Sequence, residues 1–329
     1  MKPKVYLSWN PLEWEQGILR KVLGDHTVVS WPSLEPEGYR DAEVALIVGA
    51  PSFLGSMELL RFIQVRSAGV EPGVLELAWA RGVPVASSKG CNARAVAEMA
   101  FALLLALEKR VTLQDRKLKS GEWVPYARET LVGDLEGKTM VILGFGGIGR
   151  EVARIAEAFG IRVVPVASRE RQEGKWRVLG VDKLVEVVRD ADYLVVTLPL
   201  TPRTRRLVGR EVLFSMKSTA FLVNVGRGEV VDEEALYEAL ATGRIAGAGL
   251  DVWWRYPPDP SAPSPRGVHR LENVVATAHK GGWTRLSLER CLRFSAENVK
   301  RFLLGVEPLN LIRPGSGTSA AGCELWLVV

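Results

Sequence analysis

Cysteine is almost missing from this chain: only Cys91, Cys291 and Cys323 occur among 329 residues. No two of them stand at CxxC spacing, so neither a metal site nor a disulfide framework is expected. Long apolar runs are also lacking. None approaches the ~20 residues needed to cross a bilayer. The opening MKPKVYLSWN reads as a strand without the apolar core of a secretion signal, so a cytoplasmic protein with no membrane partner is expected. No arginine-rich tail or aromatic RNA-binding signature is present. The net charge of +5 comes from Lys and Arg scattered among acids, which points to a small anionic ligand rather than to nucleic acid. Asn, Gln, Met and Cys are all sparse, a composition that leans towards a thermophilic source.

What is present is an alternation of short β-rich runs and helical patterns. With 47% hydrophobic and 25% charged residues, the chain has the composition of a globular protein long enough for two domains. One series of strands is expected at 4–9, 27–31, 43–48, 62–66 and 83–87. A second series follows at 139–144, 161–167, 192–197, 219–225, 245–252 and 273–278. Helical patterns between them, such as 72–81, 147–159 and 232–242, predict parallel sheets covered by helices. A long apolar helix over 92–110 separates the series and is apolar on more than one face, as a connector between packed layers would be. A last helix, about 284–305, is expected to cross back to the first domain. The fold class is therefore α/β, with two doubly wound, Rossmann-like domains of which the first is discontinuous. The expected boundaries are 1–88 with 285–329, and 89–284. The tail after Leu311 has no evident place in either domain, and no internal repeat is found.

The most informative stretch is TMVILGFGGIGREVARIAEAFG, residues 139–160. Gly144, Gly146 and Gly149 match G-x-G-x-x-G between a strand and a helix, with Gly147 and Ile148 inside the turn. In that context the glycines form a dinucleotide cradle: a tight turn, close approach of the diphosphate, and close helix–strand packing, with the phosphates at the helix N-terminus. An NAD-binding fold of this kind places an acid at the tip of the second strand, about twenty residues on. Here the strand runs IRVVPVASRER, and Ala167 and Ser168 occupy the tip, followed by Arg169 and Arg171. A guanidinium there suits a 2′-phosphate, helped by the Ser168 hydroxyl, so NADP is expected in preference to NAD. Glu170, if turned inward, would contact the ribose instead.

Taken together, RSAGVE (66–71), NARAVAEMAFALLLAL (92–107), GEWVPYARETLVGDLEGKTMVILGFGGIGR (121–150), LPLTPRTRRLV (198–208), LVNVGRGEVVDEEALYEAL (222–240), GLDVW (249–253) and NVVATAHKGG (273–282) resemble the D-isomer-specific 2-hydroxyacid dehydrogenases. The resemblance spans roughly 40–312. It implies a cofactor on the central domain, a small 2-keto or 2-hydroxy acid substrate met in a cleft, and a homodimer joined through the cofactor domain by an arm at 110–135. It assigns Arg227 to the substrate carboxylate and carbonyl, and His279 to proton transfer at the carbonyl oxygen. The amides of Ala68, Gly69 and Val70 match the carboxylate-holding loop. Gly147 and Ile148 match the diphosphate contact. Ser88, Leu198, Val225, Gly226, Asp251 and Gly281 match cofactor-contacting positions, Asp251 through the nicotinamide amide.

The departures from the family pattern cluster around the histidine. The family has a glutamate five residues beyond the aspartate of GLDVW, paired with the histidine; counting from Asp251 gives Tyr256. Ala278 stands where the family has proline, and Lys280 follows the histidine. Three readings follow. The Tyr256 hydroxyl orients His279; or Asp259, on the proline-rich loop, replaces the missing acid; or the site binds a dinucleotide and turns over little, as a cofactor-sensing protein would. Trp253, Trp254 and Trp283 are candidates for narrowing the cleft. The leading expectation is an NADP(H)-preferring 2-ketoacid reductase for substrates such as glyoxylate or hydroxypyruvate. Formate dehydrogenase-like activity is the alternative, since DVW followed by Trp254 resembles that branch, although its glutamine is also absent.

Overall fold

The structure is a computed structural model that describes residues 2–25 and 27–313. The contacts of the backbone divide the chain into two units. The first comprises the chain up to Asn92 and again from Trp283 onward; the second is Ala93–Gly282.

The first unit runs β1 (Lys4–Leu7), α1 (Glu13–Leu23), β2 (Val28–Ser30), β3 (Val44–Ile47), β4 (Phe62–Val65), α2 (Pro72–Ala80) and β5 (Val85–Ser87). VALI and FIQV are buried along their whole length, as strands covered on both faces must be. Alternate residues point to opposite faces. Tyr6, Ala45, Ile47, Ile63 and Val85 pack with Val74, Leu75 and Ala78 of α2. Val5, Leu7, Val44, Leu46 and Phe62 pack on the other side with Leu19, Val22 and Leu23 of α1.

The second unit starts with α3 (Ala93–Glu108) and α4 (Val111–Lys119). It continues through β6 (Thr139–Leu143), α5 (Gly147–Ala158), β7 (Arg162–Ala167), β8 (Arg171–Glu173), β9 (Trp176–Gly180), α6 (Leu184–Val187), β10 (Tyr193–Val196), α7 (Arg210–Ser215), β11 (Phe221–Asn224), α8 (Glu233–Ala241), β12 (Gly247–Leu250) and β13 (Val274–Ala276). Its sheet order is β13-β12-β11-β10-β6-β7-β9-β8, parallel except for the β8–β9 hairpin. From β6 the chain builds outward in one direction through β7 and in the other through β10. The order therefore reverses between β6 and β10, the position at which such sheets bind dinucleotides. Met140 and Ile142 of β6, Tyr193 and Val195 of β10 and Val223 of β11 share a core with Val96, Ala100, Phe101 and Leu104 of α3 and with Val152, Ala153 and Ala156 of α5.

The chain then returns to the first unit with α9 (Arg285–Leu303) and β14 (Leu311–Ile312). Leu292, Ala296 and Val299 of α9 join the core beside α1. Strand β14 pairs antiparallel with β5, which completes the order β14-β5-β4-β3-β1-β2. The start of the tail thus has a place after all; the remainder beyond Arg313, Cys323 included, lies outside the described residues.

A disulfide joins Cys91 to Cys291, with a Cα–Cα distance of 5.0 Å. This overturns the expectation of unpaired cysteines. The partners are 200 residues apart in sequence, and only the return of α9 to the first unit makes them neighbours. The same face of α9 carries Ser295, whose hydroxyl lies 2.8 Å from that of Ser88, and Asn298, whose amide donates to Gln64 Oε1 at 2.8 Å. Ser88 is fully buried in this network.

Candidate active site

Parallel strands deliver all their carboxyl ends to one edge of a sheet. In the second unit that edge carries the glycine turn after β6, Ser168 after β7, Leu198 after β10, Val225 to Arg227 after β11, Asp251 after β12 and His279 after β13. The predicted residues of this unit are therefore gathered at one sheet edge. Ala68, Gly69 and Val70 follow β4 in the first unit.

Gly144 has φ 106°, a backbone conformation that side chains rarely tolerate. A Cβ at Gly149 would lie 2.1 Å from the Gly144 carbonyl oxygen, so helix α5 reaches β6 this closely only because the position is glycine. Nothing lies within 4 Å of where a Cβ of Gly146 would stand. The amides at the start of α5 have no partners within the helix. An open, amide-lined turn at a helix N-terminus fits a dinucleotide diphosphate, and the residues present suit the cofactor.

Beyond β7, Glu170 accepts two hydrogen bonds from Arg177, at 2.9 Å and 2.7 Å. Arg171 donates from Nη2 to the carbonyl of Phe145, inside the glycine turn, at 3.1 Å, and pairs with Glu173. Arg150 of α5 also pairs with Glu173. A basic group thus stands beside the glycine turn, and Glu170 is engaged by Arg177.

His279 sits in a left-handed backbone conformation, φ 55°. Such a turn is costly for a β-substituted residue and persists only when its surroundings impose it. Asp251 does so. Its Oδ1 accepts from the Thr277 hydroxyl at 2.7 Å and from Lys280 N at 2.8 Å, and its Oδ2 accepts from Gly281 N at 2.9 Å. Asp251 is 2% exposed, and its carboxylate clamps the turn on both sides of the histidine. A Cβ at Gly281 would lie 2.8 Å from Oδ2, which is why glycine is found there. The sequence marked Asp251 as a cofactor contact and missed this clamp, because a hydrogen bond to a turn leaves no spacing signature.

The ring of His279 is held by Tyr256, whose hydroxyl lies 2.9 Å from Nδ1. Trp253 N donates to the same hydroxyl oxygen at 3.2 Å. Across this contact Nδ1 either accepts from the phenol or donates to its oxygen, according to the ring's protonation, and Nε2 is the other nitrogen of the ring. Burial, the largest effect, pushes the imidazole pKa down; Arg227 and Lys280 push the same way, and Asp251 opposes them. Asp259 does not supply the missing acid: it accepts from Ser261 N and Oγ at 2.8 Å and 2.6 Å, and Arg255 Nε stands 3.5 Å away.

Arg227 donates from Nη1 to the Gly226 carbonyl at 2.7 Å. Asn224 braces this turn, donating to the Arg227 carbonyl at 2.9 Å and accepting from Gly226 N at 3.0 Å. Asn224 is wholly buried and was not singled out from the sequence, where it reads as the polar end of an apolar run. Trp253 and Trp254 are only 6% and 8% exposed, and their indoles donate to Thr277 O and Val231 O. Both are packed inside the second unit. No cluster of metal-ligating side chains is found among the described residues.

The chain from 101 to 281 matches the family model for the NAD-binding domain of D-isomer-specific 2-hydroxyacid dehydrogenases. The protein belongs to this family. It is 37% identical to a glyoxylate reductase of Korarchaeum cryptofilum over 77% of this chain and 76% of the relative. It is 33% identical to a D-3-phosphoglycerate dehydrogenase of Methanocaldococcus jannaschii over 84% of this chain and 52% of the relative. Among solved structures, an NADPH-dependent glyoxylate/hydroxypyruvate reductase from Sinorhizobium meliloti superposes with a TM-score of 0.78 at 26% identity, covering 94% of this chain and 97% of that one. This 2-hydroxyacid dehydrogenase is thus an NAD(P)-dependent oxidoreductase acting on CH–OH donors. Among the described residues, no helix is long and apolar enough to cross a membrane.

Proposed function

We propose that the enzyme works mainly as an NADPH-preferring reductase of small 2-keto acids such as glyoxylate or hydroxypyruvate. The observation that carries this reading is the 2.9 Å contact between the Tyr256 hydroxyl and His279 Nδ1, which holds the clamped imidazole through that nitrogen and leaves Nε2 for proton exchange with a substrate. Arg227 pairs with the substrate carboxylate through its planar fork and polarises the adjacent carbonyl. In the first unit, the amides of Ala68, Gly69 and Val70 are the proposed carboxylate-binding loop. The His279 imidazolium gives its Nε2 proton to the carbonyl oxygen, and the neutral ring that remains keeps its hydrogen on Nδ1, held by the Tyr256 hydroxyl oxygen.

The turn Gly144–Gly149 would hold the cofactor diphosphate, and Val225, Gly226, Leu198 and Gly281 would line its path. Asp251 Oδ2 keeps a lone pair for a nicotinamide amide. The bound nicotinamide supplies the hydride. Preference for NADPH is supported by the pairing of Glu170 with Arg177 and by the exposed Arg169 beside Ser168.

The enzyme is proposed to be a cytoplasmic homodimer. Trp123, Tyr126 and Leu131, at 73%, 100% and 71% exposure, give the arm at 110–135 an apolar surface suited to a second copy. NADPH oxidation should appear when glyoxylate or hydroxypyruvate is offered, and Arg227→Ala should reduce kcat/KM at least 100-fold, the scale of losing a charged hydrogen-bonding partner in the transition state. Tight NADPH binding with no turnover on any 2-keto acid would overturn the reading in favour of a cofactor-sensing protein.

A further inference from the structure

We propose that Arg66 and Glu15 form a buried charge pair that positions the Ser67–Val70 loop and biases it towards a substrate carboxylate. The inference rests on the reading of that loop as the carboxylate-holding one.

Strand β4 ends at Val65, and Arg66 is the next residue, its amide donating to Ile47 O at 2.9 Å. The Arg66 guanidinium meets Glu15 Oε1 at 2.7 Å, and the two side chains are 11% and 5% exposed. Glu15 lies in the first turn of α1. Its Oε2 also accepts from Leu12 N at 2.9 Å and from the Trp9 indole at 3.1 Å. The carboxylate is thus satisfied by three separate donors. The guanidinium also lies over the Trp9 ring, 4.9 Å from its centroid. Its Nε is buried with no hydrogen-bond partner among the described residues.

The loop that follows is tied through Ser67. Ser67 Oγ donates to Gly69 O at 2.6 Å, closing the turn, and Ser88 N donates to Ser67 O at 2.9 Å. A scaffold alone would be built more cheaply from apolar side chains, because burying an ion pair costs more desolvation than its attraction usually returns. Burial indeed pushes the Arg66 guanidinium pKa down against the pull of Glu15. What the charges add is direction. The positive end belongs to the residue next to the loop, and the negative end is held on α1. The pair therefore acts as a fixed dipole that favours an anion at the loop amides. Arg66 and Glu15 are positioning residues; neither is assigned a contact with the reacting atoms.

An electrostatic role and a merely structural one differ in sign. Arg66→Met leaves a lone carboxylate below the loop, and Glu15→Gln leaves a lone cation. With NADPH-loaded enzyme, Arg66→Met should raise KM for glyoxylate and the Kd of oxamate, measured by calorimetry, about tenfold. Glu15→Gln should lower both about threefold, the scale of one charge acting across a partly buried gap. In each, kcat should stay within twofold. The double variant Glu15→Gln/Arg66→Met buries no lone charge and keeps the fold. It should raise both constants about threefold, and it decides the matter if the single variants do not fold. Shifts of the same sign in both single variants, a fall in kcat in place of the KM change, or a double variant indistinguishable from the native protein would overturn the inference. If the native enzyme neither turns over keto acids nor binds oxamate, the carboxylate reading of the loop fails, and this inference with it.

Discussion

His279 is fixed twice, through its backbone by Asp251 and through its ring by Tyr256. The family pattern has a carboxylate at the second of these positions. A neutral phenol holds the ring's orientation but does not stabilise the imidazolium, so nothing at Nδ1 offsets the burial that pushes the pKa below 6.5. The consequence for direction follows. Reduction needs the ring to release a proton, and the fully charged imidazolium is present only below the depressed pKa. Oxidation needs the neutral ring, which persists to lower pH than it would beside a carboxylate. Tyr256→Phe removes the only group seen at Nδ1 among the described residues. It should lower kcat about 10- to 100-fold, at the lower end of what a general acid contributes. A native-like kcat in that variant would show that the hydroxyl is dispensable. Tyr256 was legible because it can be counted from Asp251. The Asp251 clamp and the Asn224 brace were not, since both act on backbone turns whose shape no residue pattern records.

Elements were legible in proportion to how far their residues are buried. Strands such as TMVIL, YLVV and FLVN are continuous apolar runs and stand where the sequence places them. The β8–β9 hairpin was not foreseen. Its first strand, RQE, is three polar residues at the sheet edge with no alternation to reveal it. That hairpin matters for the cofactor because it carries Arg171 to the glycine turn and Arg177 to Glu170. Arg169 is left beside the tip of β7, where a 2′-phosphate is expected. Arg169→Ala should raise KM for NADPH about tenfold, the worth of one exposed charge-assisted contact, and leave NADH nearly unaffected. Steady-state kinetics with both cofactors checks this, and equal loss for both would sink the phosphate assignment.

At the scale of the whole molecule, the chain leaves its first unit at Asn92 and returns at Trp283. The Cys91–Cys291 bond closes a loop spanning 200 residues that contains the entire second unit. Three cysteines with no local spacing could not reveal this, because only the returning helix α9 brings two of them together. In the chain-entropy picture a loop of this length contributes up to roughly 5 kcal/mol. Reduction, or the pair Cys91→Ser and Cys291→Ser, should lower the unfolding free energy by an amount approaching that value, read by denaturant titration. The kcat at 25 °C should stay within twofold. Equal stability with and without the bond would show that the α9 interface alone holds the discontinuous unit together.

The pH dependence of kcat for glyoxylate reduction by NADPH, compared between the native enzyme and Tyr256→Glu, bears most directly on a histidine paired with a phenol in place of a carboxylate. In the native enzyme the alkaline limb should fall from below pH ~6.5, the ordinary imidazole value. Restoring a carboxylate at Nδ1 should move that limb up by about one to three units. A native profile already flat to pH 8 and unchanged by Tyr256→Glu would contradict the proposal that a phenol has taken the place of the acid.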